Sequence, residues 1–308
     1  MIMNDNIYTT RFNGPTACAL GNFDGVHLGH RKLISKMLKS SQDAGLMSVI
    51  VTFEPHPSKV LNSGNPQPLI TTFEKKRVIL ESLGVDNMLC IPFDKDFSRM
   101  DYKDFIYDIL IARCNAKIVV AGFDYRFGYK GLGDALRLKE ICGKEGIDVI
   151  IVDPLFHDGY KVSSTLIRDL IKTGDVKSAA SFLGRPYSIE GNVVTGDALG
   201  RRLGFPTANI AFSEDIVLPS KGVYAVTALC RGRVCKGIAN VGKRPTFDGK
   251  DIKLEVHLFD FSRDIYGEWV EVFFFDNLRE EIRFSCTEDL TKQVNIDFTL
   301  AKKALSEI

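Results

Sequence analysis

The stretch 17-ACALGNFDGVHLGH-30 runs from a short apolar strand, through a glycine-rich turn, into the start of a helix. Gly21 and Gly25 let the backbone turn tightly and come close to a ligand. A helix N-terminus presents unpaired N–H groups and positive dipole character, which together favour phosphate. His27 and His30, three apart, share one face of that helix start and can both donate to one anionic oxygen. Gly29 between them leaves room for a nucleotide. A plainer reading stays open: two histidines that hydrogen-bond backbone at a helix start. A GxGxxG dinucleotide loop is a weaker rival, because the turn reads G-N-F-D-G and lacks that spacing.

Outward from this stretch the pattern repeats. Strand-like runs 48-SVIVTF-53, 88-MLCIPF-93, 117-KIVVAG-122 and 148-DVIIVD-153 alternate with helical patterns at 30–45, 73–84, 101–114 and 134–146. In the first helix Leu33, Ile34, Met37 and Leu38 share a face, and Gly45 is a natural stop. Strand and helix in alternation predict a doubly wound parallel sheet, with ligands at the carboxyl ends of its strands. After about Leu183 the texture changes to short alternating runs punctuated by Gly and Pro: 187–194, 222–229, 234–242, 252–260 and 269–276. These predict a small antiparallel β-barrel, closed by a final helix over 286–308 with Thr287 and Asp289 as caps. The expected domains are therefore 1–183 and 184–308.

Composition narrows the class. Hydrophobic residues make up 45% and charged residues 26% of 308, as in ordinary globular proteins. Forty basic residues against thirty-nine acidic ones give no bulk case for nucleic acid or an anionic membrane, and neither is an expected partner. No apolar run spans a bilayer, and the N-terminus lacks the pattern of a secretory signal. The seven scattered cysteines form no CxxC pair, so they read as inert thiols in a reducing cytoplasm.

A second stretch, 196-GDALGRRLGFPTANI-210, opens the barrel region. Gly196, Gly200 and Gly204 suit a loop folded over phosphates. The Thr207 hydroxyl and Asn209 amide are hard oxygen donors of the kind that accept Mg²⁺ carried with ATP. On its own the string is also just a turn, and no GxxxxGK[ST] loop occurs. Glu255 lies on an alternating strand, where a solvent-facing position is the ordinary reading.

HLGH resembles the HxGH signature of nucleotidylyltransferases. Together with 52-TFEPHP-57, 122-GFDYRFG-128 and 163-SSTLIR-168 it is similar to the adenylyltransferase module of the prokaryotic bifunctional riboflavin kinase/FMN adenylyltransferase (FAD synthetase) family. The GxxxGxxLGFPTAN string, 222-GVYAV-226, 237-GIANVGKRPTF-247, 254-LEVHLFDF-261, 265-IYG-267, 278-LREEIRF-284 and Asp297 resemble its kinase module, in family order. The resemblance covers about residues 14–300 and implies ATP-dependent conversion of riboflavin to FMN, then of FMN to FAD with release of pyrophosphate. It implies that His27 and His30 hold the α-phosphate region, within a nucleotide-binding turn that includes Gly21, Phe23, Asp24 and Gly25. Ser163, Ser164, Thr165 and Arg168 would grip the outer phosphates. Asp124 would contact nucleotide or flavin, and Phe127 would line the flavin pocket. In the kinase half it implies Glu255 as base, Arg279 near flavin and phosphates, and Thr207 and Asn209 at Mg²⁺. Lys221, Lys243 and Arg244 are possible assistants. Tyr125 stands where the family has another aromatic, and His56 reads equally well as a turn residue. Rival readings are a chain with one working activity, a flavin sensor without turnover, and an HxGH transferase acting on another phosphate ester.

Overall fold

The computed structural model describes residues 1–4, 10–196, 200, 204–243 and 252–308. The chain falls into two compact units, Met1–Ser164 and Thr165–Ile308. The first is built on strands β1 (Ile2–Asn4), β2 (Thr16–Leu20), β3 (Met47–Glu54), β4 (Asn87–Pro92), β5 (Ala116–Gly122) and β6 (Asp148–Val152). All pair in parallel, in the order β1-β4-β3-β2-β5-β6. Its helices are α1 (Leu28–Ala44), α2 (Pro57–Leu61), α3 (Phe73–Ser82), α4 (Tyr102–Asp104) and α5 (Ala135–Lys144). A two-stranded hairpin, β7 (Phe156–His157) with β8 (Tyr160–Lys161), follows the sheet.

Alternation along the strands divides the core. Ala17, Ala19 and Ile50 pack with Ile34 and Met37 of α1 and Leu80 of α3. Cys18, Leu20 and Val51 face the other way, onto Ile106, Ile109 and Leu138. Each fully buried Leu, Ile or Met contributes roughly 1.5–3 kcal/mol, so both helical layers are firmly held. Winding reverses at β2, which pairs with β3 on one side and β5 on the other. The ends of β2 and β5 therefore form the switch point where such sheets bind ligands. α1 ends at Gly45, whose φ of 63° is left-handed, as the sequence predicts.

The region read as one helix over 101–114 departs from that expectation. After α4 it continues as a π-helix, Phe105–Ile111, whose wider turn keeps Phe105, Ile106, Ile109 and Leu110 all buried.

The second unit starts with α6 (Ser164–Thr173), whose first residue lies in the first unit, and α7 (Val176–Leu183). Strands β9 (Tyr187–Val194), β10 (Ala208–Phe212), β11 (Gly222–Cys230), β12 (Arg233–Lys243), β13 (Ile252–Leu258) and β14 (Trp269–Glu280) then close an antiparallel barrel. Their order is β10-β13-β12-β11-β14-β9. Tyr187, Tyr224 and Phe274 fill its interior, ring centroids 5.5–6.0 Å apart along the chain of contacts. α8 (Thr287–Ala304) covers part of the outer wall, with Ala301 and Leu305 against Val223, Ala225 and Ile238. The expected caps of this helix are corrected: Cys286 is the N-cap and makes no side-chain capping bond, while Thr287 and Asp289 lie inside the first turn. The architecture is the predicted one, a doubly wound parallel sheet and a small antiparallel barrel with a closing helix.

Candidate active sites

The turn after β2 is fixed from below. Asp24, 4% exposed, accepts the Ile70 and Thr71 amides at 2.9–3.2 Å. The Thr71 hydroxyl accepts the Gly25 amide at 3.1 Å, and Ser164 donates to the Asp24 carbonyl at 3.0 Å. Phe23 is fully buried with a left-handed φ of 52°, and its ring meets His30 edge-on at 5.3 Å. Phe23 and Asp24 thus face inward and shape the turn, leaving backbone as what they offer a ligand.

His27 is the N-cap of α1: its Nδ1 accepts the His30 amide at 3.2 Å. That bond requires an unprotonated Nδ1, so the neutral ring carries its proton on Nε2. The His30 ring stacks on His27, centroids 3.6 Å apart and 13° from parallel. A Cβ at Gly29 would lie 3.1 Å from the His27 ring. The room left by that glycine is therefore taken by His27 itself, and capping and a directed Nε2–H come from one arrangement.

At the neighbouring strand end, Asp124 is exposed and pairs with Lys161 at 2.7 Å, while the Lys161 ammonium lies 4.4 Å from the Phe123 ring centre. Phe127 is buried and stacks on Tyr125. His56 caps α2, accepting the Ser58 amide at 3.2 Å. The SSTLIR stretch straddles the division of the chain, Ser163 and Ser164 in the first unit and Thr165 and Arg168 in the second. Thr165 is exposed and Arg168 is 6% exposed.

The barrel builds its site across strands. Asn209 of β10 pairs with Glu255 of β13, Glu255 with Asn240 of β12, Asn240 with Val223 of β11, and Val223 with Arg279 of β14. Directly opposed residues point to the same side of a sheet. The five form a row on the outer wall, lining a cavity of about 360 Å³ together with Gly200, Thr207, Lys253, His257 and, from α8, Asp297 and Phe298. Glu255 is accordingly a pocket residue, its side chain 29% exposed and 3.8 Å from Lys253. The alternate residues Leu254 and Val256 enter the barrel core.

A second cavity, about 270 Å³, is lined by Val193, Pro206, Val256, Leu258 and the 261–266 segment. Thr207 lines both cavities. The glycines explain how the loop reaches this point. A Cβ at Gly196 would strike the Asn209 amide, and one at Gly200 would strike the Phe205 carbonyl. Gly204 instead supplies a φ of 89°. His257 donates from Nδ1 to the Pro206 carbonyl at 2.8 Å and stacks on Phe298 at 4.8 Å. Burial lowers the affinity of its ring for a proton, which keeps this donor neutral. Arg279 gives Nε and Nη2 to the buried Asp297 at 2.8–3.1 Å and Nη1 to the Glu280 carbonyl. Its guanidinium fastens α8 over the pocket. Lys221 is partly buried outside this lining, and the Lys243 side chain and Arg244 lie outside the described residues.

These arrangements match known proteins in the same order along the chain. The FAD synthetase family pattern matches residues 9–166 and the riboflavin kinase pattern residues 183–305. The bifunctional riboflavin kinase/FMN adenylyltransferase of Bacillus subtilis is 39% identical, over 91% of this chain and 89% of its own length. That of Escherichia coli K12 is 36% identical, over 92% and 91%. The chain belongs to the bifunctional riboflavin kinase/FMN adenylyltransferase family. A solved structure from Streptococcus pneumoniae, described as a macrolide-efflux protein, shares the fold with a TM-score of 0.89 and 34% identity over 98% of both chains. Among the described residues of this family member, no helix is long and apolar enough to cross a membrane.

Several pocket residues were not singled out in the sequence, among them Asn240, Lys253 and His257. These three lie within two positions of Glu255 along or across strands, a relation that only the register reveals. Period-two spacing on β13 was the available signal for Lys253 and His257.

Proposed function

We infer that the chain performs two successive ATP-dependent transfers, phosphorylation of riboflavin to FMN and adenylylation of FMN to FAD with release of pyrophosphate. Residues 184–308 would form the kinase domain and residues 1–183 the adenylyltransferase domain, in keeping with the two family matches. The observation that carries the reading is the row Asn209–Glu255–Asn240 beside Thr207, where the two barrel cavities meet.

In the kinase step, the cavity under α8 takes riboflavin and the second cavity takes ATP. Glu255 removes the proton of the ribityl 5′-hydroxyl as that oxygen attacks the γ-phosphorus. The bond from the γ-phosphorus to the bridging oxygen breaks, and ADP leaves with the electron pair. ATP-using enzymes of this kind work with a divalent cation. Thr207 and Asn209 offer oxygens suited to Mg²⁺ held mainly by ATP phosphates, where it would offset charge on the transferred group. Among the described residues no group of three or more His, Cys, Asp or Glu side chains makes a cage of its own. The loop glycines Gly196, Gly200 and Gly204 let backbone approach the phosphates, and Arg279 holds the flavin pocket shut through Asp297.

In the adenylyl step, an FMN phosphate oxygen attacks the α-phosphorus of a second ATP, and pyrophosphate departs. His27 donates from Nε2 to the α-phosphoryl oxygen while its Nδ1 caps α1, and His30 adds a second donor beside it. The backbone of Gly21–Gly25 and the N-terminus of α1 meet the remaining charge. Ser163, Ser164, Thr165 and Arg168 serve the outer phosphates. Asp124 and Phe127 serve nucleotide and flavin. The scattered cysteines without a CxxC pair and the use of ATP support a cytoplasmic place of work.

The test is to supply Mg-ATP with riboflavin, or with FMN, and resolve the flavins by chromatography over time. Riboflavin passing through FMN to FAD supports both assignments. Accumulation of FMN removes the adenylyl step. Binding of both flavins without conversion makes the chain a flavin sensor.

A further inference from the structure

Lys76 is a lysine in the wrong place for an ordinary one. It belongs to α3, is 6% exposed, and its ammonium donates to the Asn22 carbonyl at 3.2 Å and the Thr52 hydroxyl at 3.3 Å. The Thr52 hydroxyl itself donates to the same carbonyl at 3.2 Å. The three groups close a triangle beneath the turn that leads from β2 to His27, and it joins the end of β3 to that turn. Both oxygens it meets are neutral. The carboxylates of Asp24 from the turn and Glu54 from β3, and the Cys90 thiol from β4, act on it through space, and the Phe73 ring lies 5.2 Å from it. Removing an ammonium from water is costly, and two neutral acceptors do not offset it. A neutral donor would tie Asn22 to Thr52 more cheaply. The excess cost is explained when the charge itself has a use, and what lies above it is a turn suited to anions.

We propose that Lys76 is a positioning residue for adenylyl transfer, holding the Asn22–Thr52 junction in register and placing a positive charge under the phosphate-binding turn. The proposal rests on the reading of this unit as the adenylyl-transfer site. Lys76 touches no reacting atom. It acts through the turn, by fixing where the backbone and His27 stand and by favouring the charge that gathers on the α-phosphate and pyrophosphate.

Charge and structure move in opposite directions with pH, which separates this role from a merely structural one. Burial holds the Lys76 ammonium below the usual lysine range, with Glu54, Cys90 and Asp24 partly offsetting the effect. Between that lowered value and the ordinary one, the unfolded chain binds the proton that the folded chain has lost. Stability owed to Lys76 therefore rises with pH there. FAD formation should fall over the same window, because the functional charge is disappearing.

The experiment follows FAD formation from supplied FMN, with Mg-ATP, for the full chain, Lys76→Gln and Lys76→Met across neutral to alkaline pH. Thermal unfolding is recorded in parallel as the folding control for the unit that holds Lys76, and FMN formation from riboflavin normalises for the amount of active chain. The expected result is a rate lower by about 10- to 100-fold in both variants at neutral pH. The alkaline decline of the wild-type chain, relative to its own kinase step, should be missing from Lys76→Gln. Full FAD formation by Lys76→Gln, with an unchanged alkaline limb, overturns the proposal. Loss in proportion to lowered melting temperature, with the alkaline limb unchanged in Lys76→Gln, also overturns it. A wild-type chain that makes no FAD contradicts the reading of the unit and the proposal with it.

Discussion

The two sites are built in opposite ways. The centre of the first is one continuous stretch: a strand end, the connection from Gly21 to His27 and a helix start, with His27 capping the helix that it also equips. The second takes a residue each from β10, β13, β12, β11 and β14 and lays them in a row across the barrel wall. A local site shares its parts with secondary structure, so a substitution there disturbs folding and chemistry together. In the cross-strand site a side chain on the outer wall can change while its alternate neighbours keep the core, and chemistry can be removed cleanly.

That difference is open to attack, and the sharpest attack is on Glu255. Glu255→Gln should lower FMN formation about 1,000-fold, measured as initial rate with riboflavin, and leave the melting temperature within a few degrees. The pocket's anchor should behave in the opposite manner. Asp297→Asn leaves the Arg279 guanidinium without its charged partner and should cost about 3 kcal/mol of stability in denaturant unfolding. Next comes His27, where capping and catalysis can be pulled apart. His27→Asn keeps a capping side chain, so FAD formation should fall about 100-fold with little loss of stability. His27→Ala should lose the same activity and about 1 kcal/mol besides. If the two variants prove equally stable, the cap is not the local constraint described.

The smallest effect concerns Tyr125. Its hydroxyl is buried with no hydrogen-bond partner among the described residues, and burial pushes its phenol well above the usual range. Tyr125→Phe should stabilise the chain by about 1 kcal/mol, read as a rise in melting temperature.

The same contrast governs what could be read from the sequence. The strands and helices of the first unit were legible because their apolar periods are intrinsic, as with Leu33, Ile34 and Met37 on α1. β1 was not, since three residues at a sheet edge carry too little pattern. β10 was hidden inside the PTANI string, where turn chemistry masks the strand that follows. α7 passed unnoticed despite its Asp175 cap, because eight residues span barely two turns. The histidine pair was legible as a local motif, but not that one ring would both cap the helix and fill the space at Gly29. In the barrel, Thr207, Asn209 and Glu255 were named from motifs. Only strand register brings them together and adds Asn240, and register is a property of pairing rather than of any one strand.

The most direct test of two separable sites is a crossed assay of Glu255→Gln and His27→Asn, each given riboflavin and, separately, FMN with Mg-ATP. The account predicts that Glu255→Gln converts FMN to FAD at the wild-type rate yet phosphorylates riboflavin about 1,000-fold more slowly. His27→Asn should convert riboflavin to FMN at the wild-type rate and carry it on to FAD about 100-fold more slowly. Loss of both steps in either variant, with its fold intact, would contradict it.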